Sequence, residues 1–245
     1  MKSKMRTTAT IMLMVVVCLG MAGAAPKKIV IGITMQGNQS GFIQYITAGM
    51  WEWQKSNAPD VTLKVVFADD DATKQLTQVE TFVAQKVDAI IINPVDKVQS
   101  AAAVDIAAQA KIPILTVNTT TVSKNATAHV GSDDVEAGYL QMNRIIKVCG
   151  EKARVAYVDA VLGHSAQVGR TEGYKKALSE HPGATLVVHD TGNWSADDSM
   201  KLVENWIQRG LKIDAIACMA DCQLIGVVTA VKNANLIGKI VLSGM

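Results

Sequence analysis

Residues 86–96 constrain the fold of this chain more than any other stretch. Within them, residues 89–92 (sequence AIII) form a short apolar run between Asp88 and Asn93, and a proline follows. Such a run, closed by a proline, is typical of a strand buried on both faces, which occurs in parallel sheets covered by helices. Because ligands of these sheets bind outside the carboxyl ends of the strands, we expect residues 93–96 to lie at a functional edge.

The same pattern returns in the second half of the chain. Residues 212–217 (KIDAIA) repeat residues 86–91 (KVDAII) at an offset of 126, and VENWI at 203–207 repeats VETFV at 79–83 at an offset of 124. A repeat of this length is too long for a solenoid unit and favours two similar α/β lobes. The alternative is chance similarity between two helix–strand units, because buried strands draw on few residue types.

Strands and helices alternate along the chain, which predicts right-handed βαβ units and therefore two Rossmann-like α/β lobes with parallel sheets. We expect an N-terminal lobe over residues 25–122 and a C-terminal lobe over residues 123–245, which opens with a linker at 123–127. The sequence stops just after its last predicted strand, so we expect the second lobe to be incomplete through C-terminal truncation. The predicted strands lie at 29–33, 61–67, 89–92, 113–117, 154–158, 185–189, 213–219 and 240–243.

The composition of the chain excludes some classes of protein. Of its 245 residues, 49% are hydrophobic and 19% are charged, so the chain can bury a sizeable core. The formal net charge is +2, with acidic and basic residues interleaved. A nucleic-acid surface needs a basic stripe or patch, so we expect no nucleic-acid partner.

Residues 1–24 have the composition of a secretory signal peptide. Three basic residues precede an apolar run at 9–20, and Ala22-Gly23-Ala24 provides a small-x-small cleavage site. We therefore exclude this segment from the fold and predict export to the periplasm or the extracellular space.

Two alternatives to a cleaved signal peptide fit this segment less well. A membrane anchor would need about 20 apolar residues, and the run is shorter. A lipoprotein signal would use Cys18, but that signal usually has a small residue before the cysteine, and Val17 is not small.

Three cysteines remain after the signal peptide, so at least one of them is free or pairs between chains. Cys218 and Cys222 could meet across a strand-to-helix turn, but buried unpaired cysteines are the interpretation that we favour. No histidine or second cysteine pair stands at zinc-ligand spacing. We expect neither a metal nor another cofactor.

A segment at 163–167 (GHSAQ) follows a predicted strand and opens a helix, as a G-x-S-x-G nucleophile elbow does. The closing glycine is missing, and no acid and histidine follow in the order that a serine hydrolase needs. The chain also lacks a P-loop and a G-x-G-x-x-G segment after its first strand. We therefore predict no catalytic residues and no enzyme.

Polar and aromatic residues stand near the carboxyl ends of the predicted strands. Aromatic faces stack on the C–H surfaces of a polyhydroxylated ligand, while guanidinium, amide and carboxylate groups bind its hydroxyls. Core packing is the alternative for Trp194, and a solvated helix face is the alternative for Arg170. The candidate ligand-binding residues are Gln39, Phe42, Asn118, Arg170, Trp194 and Asp221.

Four segments together resemble one known family: residues 78–94, VGSDD at 130–134, GRTEGY at 169–174, and Asn193-Trp194. From about residue 28 to residue 245, the chain resembles the type I periplasmic sugar-binding proteins of ABC importers, the ribose-binding-like group. The VGSDD segment and the Asn-Trp pair most resemble members that bind inositol or rhizopine.

The resemblance implies two lobes that close on a sugar or cyclitol and deliver it to an ABC permease. It assigns Phe42 as the stacking aromatic of the first loop, Arg170 as a hydroxyl-binding guanidinium, and Trp194 as the aromatic of the second lobe. Many relatives carry Asp-Arg where this chain has Asn118-Thr119, and many carry Asn-Asp where this chain has Ala220-Asp221. The resemblance therefore leaves the identity of the ligand open.

Two further functions fit parts of this sequence. A sugar-responsive sensor that presents its ligand to a chemoreceptor would share the same fold and binding residues. A repressor of the related regulatory family would need an N-terminal helix-turn-helix, and a signal peptide stands there instead.

Overall fold

The computed structural model describes residues 28–38 and 41–245, in which strands and helices alternate except at one place, where two strands follow one another. The signal peptide predicted at residues 1–24, including Cys18, and the candidate residue Gln39 lie outside them. The strands are β1 (Val30–Met35), β2 (Thr62–Phe67), β3 (Ala89–Ile92), β4 (Ile114–Val117), β5 (Ala128–Val130), β6 (Arg154–Asp159), β7 (Thr185–Thr191), β8 (Ala215–Cys218) and β9 (Val241–Ser243). The helices are α1 (Gly41–Asn57), α2 (Ala72–Ala84), α3 (Ala101–Gln109), α4 (Asp134–Cys149), α5 (Ser165–Glu180), α6 (Ala196–Gln208) and α7 (Asp221–Asn233).

The strands form two parallel sheets, one in each lobe. The first has the order β2-β1-β3-β4-β5, and the second has the order β7-β6-β8-β9. Strand β3 is central, paired with β1 and β4, and its residues Ile90 and Ile92 are fully buried. The predicted α/β architecture of two lobes with parallel sheets is therefore confirmed.

The sequence repeat marks equivalent positions in the two lobes. Helices α2 and α6 begin 124 residues apart, and strands β3 and β8 begin 126 residues apart, as the two offsets predict. The repeated aspartate has the same task in both copies. Asp88 Oδ2 accepts a hydrogen bond from the amide of Val30 at 2.9 Å, and Asp214 Oδ2 accepts one from the amide of Arg154 at 2.8 Å. Each aspartate thus ties the start of its lobe's first strand to the start of the third.

Aspartates cap two of the helices. Asp71, the last of three consecutive aspartates before α2, accepts hydrogen bonds at its Oδ1 from the amides of Thr73 and Lys74 at 2.7 and 3.1 Å. Asp133 is the cap of α4, and its side chain accepts from the amides of Val135 and Glu136. These contacts satisfy amides that a helix N-terminus leaves without partners, and the negative charge suits the helix dipole.

Strand β5 was not predicted. It pairs with β4 in parallel, so the first sheet extends to Val130, eight residues beyond the predicted lobe boundary at residue 122. The three residues of β5 are all exposed. An exposed edge strand of this length needs no apolar run, so the sequence carried no periodic pattern there.

Glycines bring α4 and α5 unusually close together in the second lobe. A Cβ atom placed on Gly173 would lie 2.0 Å from the carbonyl oxygen of Val135, and one on Gly138 would lie 2.2 Å from that of Arg170. Side chains at these positions would push the helices apart. The close packing fixes Arg170 on α5 beside Asp134, the first residue of α4.

The described residues contain no helix that is long and apolar enough to cross a membrane. Cys149, Cys218 and Cys222 are all free thiols, so the disulfide considered between the last two does not form in this structure.

Candidate functional site

Five of the six predicted site residues lie within the described part of the chain. Asn118 directly follows β4, Trp194 lies in the loop after β7, and Asp221 opens α7 after β8. Phe42 is the second residue of α1, and Arg170 lies in the second turn of α5. Five of the six candidates therefore stand on segments that follow strands.

Arg170 is held in place by groups of its own lobe. Its Nε donates to Asp134 Oδ1 at 3.0 Å, and its Nη1 donates to the carbonyl oxygen of Met219. The side chains of Arg170 and Asp134 are only 18% and 16% exposed, so this ion pair is largely removed from water. Arg170 therefore does not lie on a solvated helix face, which was the alternative interpretation of this residue. The guanidinium has five N–H groups, so the two contacts leave donors for a further partner.

Trp194 is partly buried and strained. Both Asn193 and Trp194 have a positive φ, 52° and 58°, a backbone region that a bulky residue rarely adopts. Its ring packs against the buried cluster beneath α4 and α5, so the core-packing alternative is partly right. Its indole N–H, however, is buried without an acceptor among the residues that the structure describes. Strain of this kind persists only where surrounding contacts impose it, and it occurs often at ligand sites.

Asn118, Asp221 and Phe42 differ in their surroundings. Asn118 also has a positive φ, 62°, which turns the chain away from β4. Asp221 is exposed, and its amide donates to the carbonyl oxygen of Met245 at 3.1 Å. Phe42 is 60% exposed, whereas its neighbour Ile43 is buried under the first sheet, so the aromatic ring is available to a partner.

The sequence-based list omitted Asn93, although the segment that contains it had been placed at the functional edge. Asn93 is fully buried, and its Nδ2 donates to Thr119 Oγ1 at 2.8 Å and to the carbonyl oxygen of Val117 at 3.1 Å. Its Oδ1 is buried without a donor among the described residues. The position of Asn93 directly after the buried strand β3 was the signal that could have identified it.

His164 is a second residue that the list omitted. It is 5% exposed, and burial followed by the nearby Arg170 charge lowers its pKa from 6.5 to about 4, although Asp96 opposes the shift. Its ring meets that of Trp194 edge to face, with 5.0 Å between centroids. Its Nε2 lies 3.0 Å from Gln36 Oε1 in the other lobe.

The GHSAQ segment does not assemble the catalytic pair of a serine hydrolase. Ser165 Oγ accepts a hydrogen bond from the amide of Thr120 at 2.9 Å, while the His164 ring faces Gln36 and the amide of Ala166. Within residues 28–38 and 41–245, no cluster of histidine, cysteine or acidic side chains could hold a metal ion.

Comparison with known proteins identifies a matching family and similar proteins. Residues 31–245 match the family described as periplasmic binding protein domain. A xylitol-binding protein of Mycolicibacterium smegmatis is 31% identical over 209 residues, which cover 85% of this chain and 59% of that protein. A putative rhizopine-binding protein of Rhizobium meliloti is 30% identical over 211 residues, which cover 84% of this chain and 68% of that protein.

A solved structure of a solute-binding protein is also similar to this chain. An ABC transporter solute-binding protein from Bacillus halodurans C-125, solved with bound myo-inositol, is 34% identical to this chain with a TM-score of 0.86. The match covers 90% of this chain and 77% of that one. The chain thus spans between about three fifths and three quarters of the length of these three relatives.

Proposed function

Because this chain belongs to the type I periplasmic sugar-binding proteins of ABC importers, we propose that it is an exported solute-binding protein that delivers a small neutral polyol to an ABC permease. An inositol-like cyclitol is the first choice of ligand, and an aldopentose or aldohexose is the second. The family consists of solute-binding proteins, and we extend this to the present chain: it binds its ligand without transforming it.

One observation carries the proposal: an anchored guanidinium and a partly buried tryptophan with a free indole N–H both stand at the carboxyl edge of the second sheet. Arg170 is oriented by Asp134 and Met219 of its own lobe, so little side-chain entropy is lost when its remaining N–H groups bind hydroxyls. A polyol oxygen could accept from the indole N–H of Trp194, which would relieve the cost of a buried unpaired donor.

The charges around Arg170 favour a neutral ligand. Asp134 lies 3.0 Å from the guanidinium and offsets its charge in a partly buried environment. A phosphate or carboxylate ligand would have to compete with Asp134 for the same cation. A neutral polyol needs only the hydrogen-bond donors that Asp134 leaves unused.

The other predicted residues complete a two-lobed site. Phe42 and Asn118 belong to the first lobe, whereas Arg170, Trp194 and Asp221 belong to the second. A ligand that contacts both groups stabilises the closed arrangement over the open one, by as much as its affinities for the two arrangements differ. Phe42 and Trp194 would stack on the ring of the ligand, and Asn118 and Asp221 would bind its hydroxyls.

The test is a calorimetric and thermal-shift screen of the chain against myo-inositol, xylitol, monosaccharides, amino acids and nucleosides. We expect a polyol to bind with micromolar affinity or better, roughly −8 kcal/mol. A response confined to amino acids or nucleosides would overturn the polyol assignment.

A pair of arginine variants tests the site itself. Arg170→Ala should weaken polyol binding by about 2–4 kcal/mol, the range for truncating a desolvated charged partner. Arg144→Ala is the matched control, because Arg144 is exposed on α4 and should leave affinity unchanged. Equal affinity in both variants would remove Arg170 from the site.

A further inference from the structure

A single tripeptide of the second lobe, Gly163-His164-Ser165, contacts the first lobe at three places. We call residues 163–165 the bridge segment. The carbonyl oxygen of Gly163 accepts from the amide of Lys97 at 3.0 Å, and Ser165 Oγ accepts from the amide of Thr120 at 2.9 Å. Between them, the ring of His164 reaches Gln36.

The three partners in the first lobe follow three adjacent strands. Gln36 comes directly after β1, Lys97 stands five residues beyond β3, and Thr120 stands three residues beyond β4. These strands are neighbours in the order β1-β3-β4. The bridge segment therefore spans the centre of the first sheet at its carboxyl edge.

The protonation state of His164 fixes the direction of its hydrogen bond. Nδ1 accepts from the amide of Ala166 at 3.3 Å, as the cap of α5, so the ring proton lies on Nε2. Nε2 then donates to Gln36 Oε1 at 3.0 Å. Burial keeps the pKa of His164 low, so the ring stays neutral and holds this arrangement at neutral pH.

Gly163 allows the lobes to approach at this point. Its φ is +88°, which favours glycine, and a Cβ atom there would lie 2.3 Å from Asp96 Oδ2. Asp96 in turn caps the following turn through the amides of Val98 and Gln99 at 2.8 and 2.7 Å. A side chain at residue 163 would therefore push against a carboxylate that is already held.

We propose that the bridge segment is a latch that holds the two lobes together, and that His164 is a positioning residue which links this latch to the orientation of Trp194. His164 contacts both sides, since it bonds Gln36 in the first lobe and its ring packs edge to face on Trp194. The link to Trp194 rests on the proposed function, whereas the latch between the lobes does not.

The latch is tested without a ligand, by amide hydrogen exchange measured with NMR. If the three contacts act together, Gln36→Ala should speed exchange at the amides of Lys97 and Thr120 by about fivefold, as for the loss of one net hydrogen bond. Gln36→Glu keeps an acceptor for Nε2–H and should restore the wild-type rates. Gln109→Ala, an exposed glutamine on α3, is the control for losing a glutamine.

The amide of Ile90 reports on the first lobe alone, because it donates to the carbonyl oxygen of Pro113 at 2.8 Å within that lobe. Its exchange should not change in any variant. Wild-type rates at Lys97 and Thr120 in Gln36→Ala would overturn the latch, and so would equal acceleration at Ile90, which would indicate a general loss of stability.

The link to Trp194 is tested with 5-fluorotryptophan and fluorine NMR. His164→Asn keeps a capping side chain for α5 but is too short to reach Gln36. We expect the Trp194 resonance, assigned with Trp194→Phe, to shift or broaden while that of the buried Trp206 stays unchanged. An unchanged Trp194 resonance would overturn the positioning role.

Polyol affinity provides the last readout. Gln36→Ala should weaken binding about fivefold, and His164→Asn should weaken it at least as much, because it loses the contact with Gln36 and also the packing on Trp194. The double variant should bind no more weakly than His164→Asn alone, because the contact that Gln36→Ala removes is already broken there. Additive losses would overturn the coupling. If the wild-type chain binds no polyol, the proposed function fails, while the exchange rates and the fluorine spectra still decide the latch.

Discussion

Replacing Gly173 with alanine should separate the two helices that carry the Arg170–Asp134 pair. The new Cβ atom would lie 2.0 Å from the carbonyl oxygen of Val135 and 2.6 Å from the amide nitrogen of Tyr139. Ordinary contacts of a Cβ atom begin at 3.4 Å, so α4 and α5 would have to move apart by more than 1 Å. Both clashing atoms belong to the backbone of a helix, so no side chain can rotate to relieve them.

Two opposing effects set the magnitude of this change. Overpacking a tightly packed region costs about 1–3 kcal/mol, and a clash with backbone belongs at the upper end of that range. Alanine regains about 1 kcal/mol over glycine in a helix interior. We therefore expect Gly173→Ala to lower the free energy of unfolding by about 2 kcal/mol.

Gly49→Ala is the matched control, because a Cβ atom on Gly49 in α1 would have no neighbour within 4 Å. It should gain the helix propensity alone and stabilise the chain by roughly 0.5–1 kcal/mol. Urea denaturation followed by far-UV circular dichroism measures both variants. If Gly173→Ala were as stabilising as Gly49→Ala, the close packing of α4 on α5 would be refuted.

Three other perturbations have defined outcomes. Asp133→Ala removes the acceptor for two amides at the start of α4 and should cost about 1 kcal/mol in urea denaturation; an unchanged midpoint would contradict the capping role. The pKa of His164 is lowered from 6.5 to about 4 in the folded state, so the unfolded chain binds its proton first as the pH falls. The free energy of unfolding is therefore not reduced by His164 above pH 6.5, and it falls by roughly 3 kcal/mol between there and pH 4 through the protonation of this residue. Urea denaturation across this pH range should show a smaller fall for His164→Asn than for the wild-type chain. Asp214→Ala leaves the amide of Arg154 without its acceptor and breaks a bidentate pair, so we expect a loss of about 1–3 kcal/mol, and a loss within experimental error would count against the strand-tying role.

The two-lobed architecture was readable from the sequence because it rests on local patterns. Each central strand is a short apolar run, and each run must be covered on both faces, which leaves a parallel sheet as the fitting architecture. The repeated aspartates, Asp88 and Asp214, lie at the same place in each lobe, so the offset alone placed β8 once β3 was known. Helix caps such as Asp71 were also predictable, since a cap and the amides that it binds are separated by two or three residues.

The candidate site was only partly predictable. A position after a strand was enough to select Asn118, Trp194 and Asp221, because that position follows from the local sequence. The same rule pointed to the segment that holds Asn93, but the unpaired Oδ1 that distinguishes Asn93 depends on which partners surround it.

The sequence by itself determined what short-range patterns encode: which residues form strands, which cap helices, and that two similar lobes follow one another. The tertiary structure alone decided the contacts between distant parts of the chain. Asp134 anchors Arg170 across 36 residues, and His164 meets Gln36 across 128. Strand β5 likewise exists only because β4 offers it an edge. Contacts of this kind depend on how the helices pack and how the lobes meet. The local hydrophobic pattern of the sequence predicts neither.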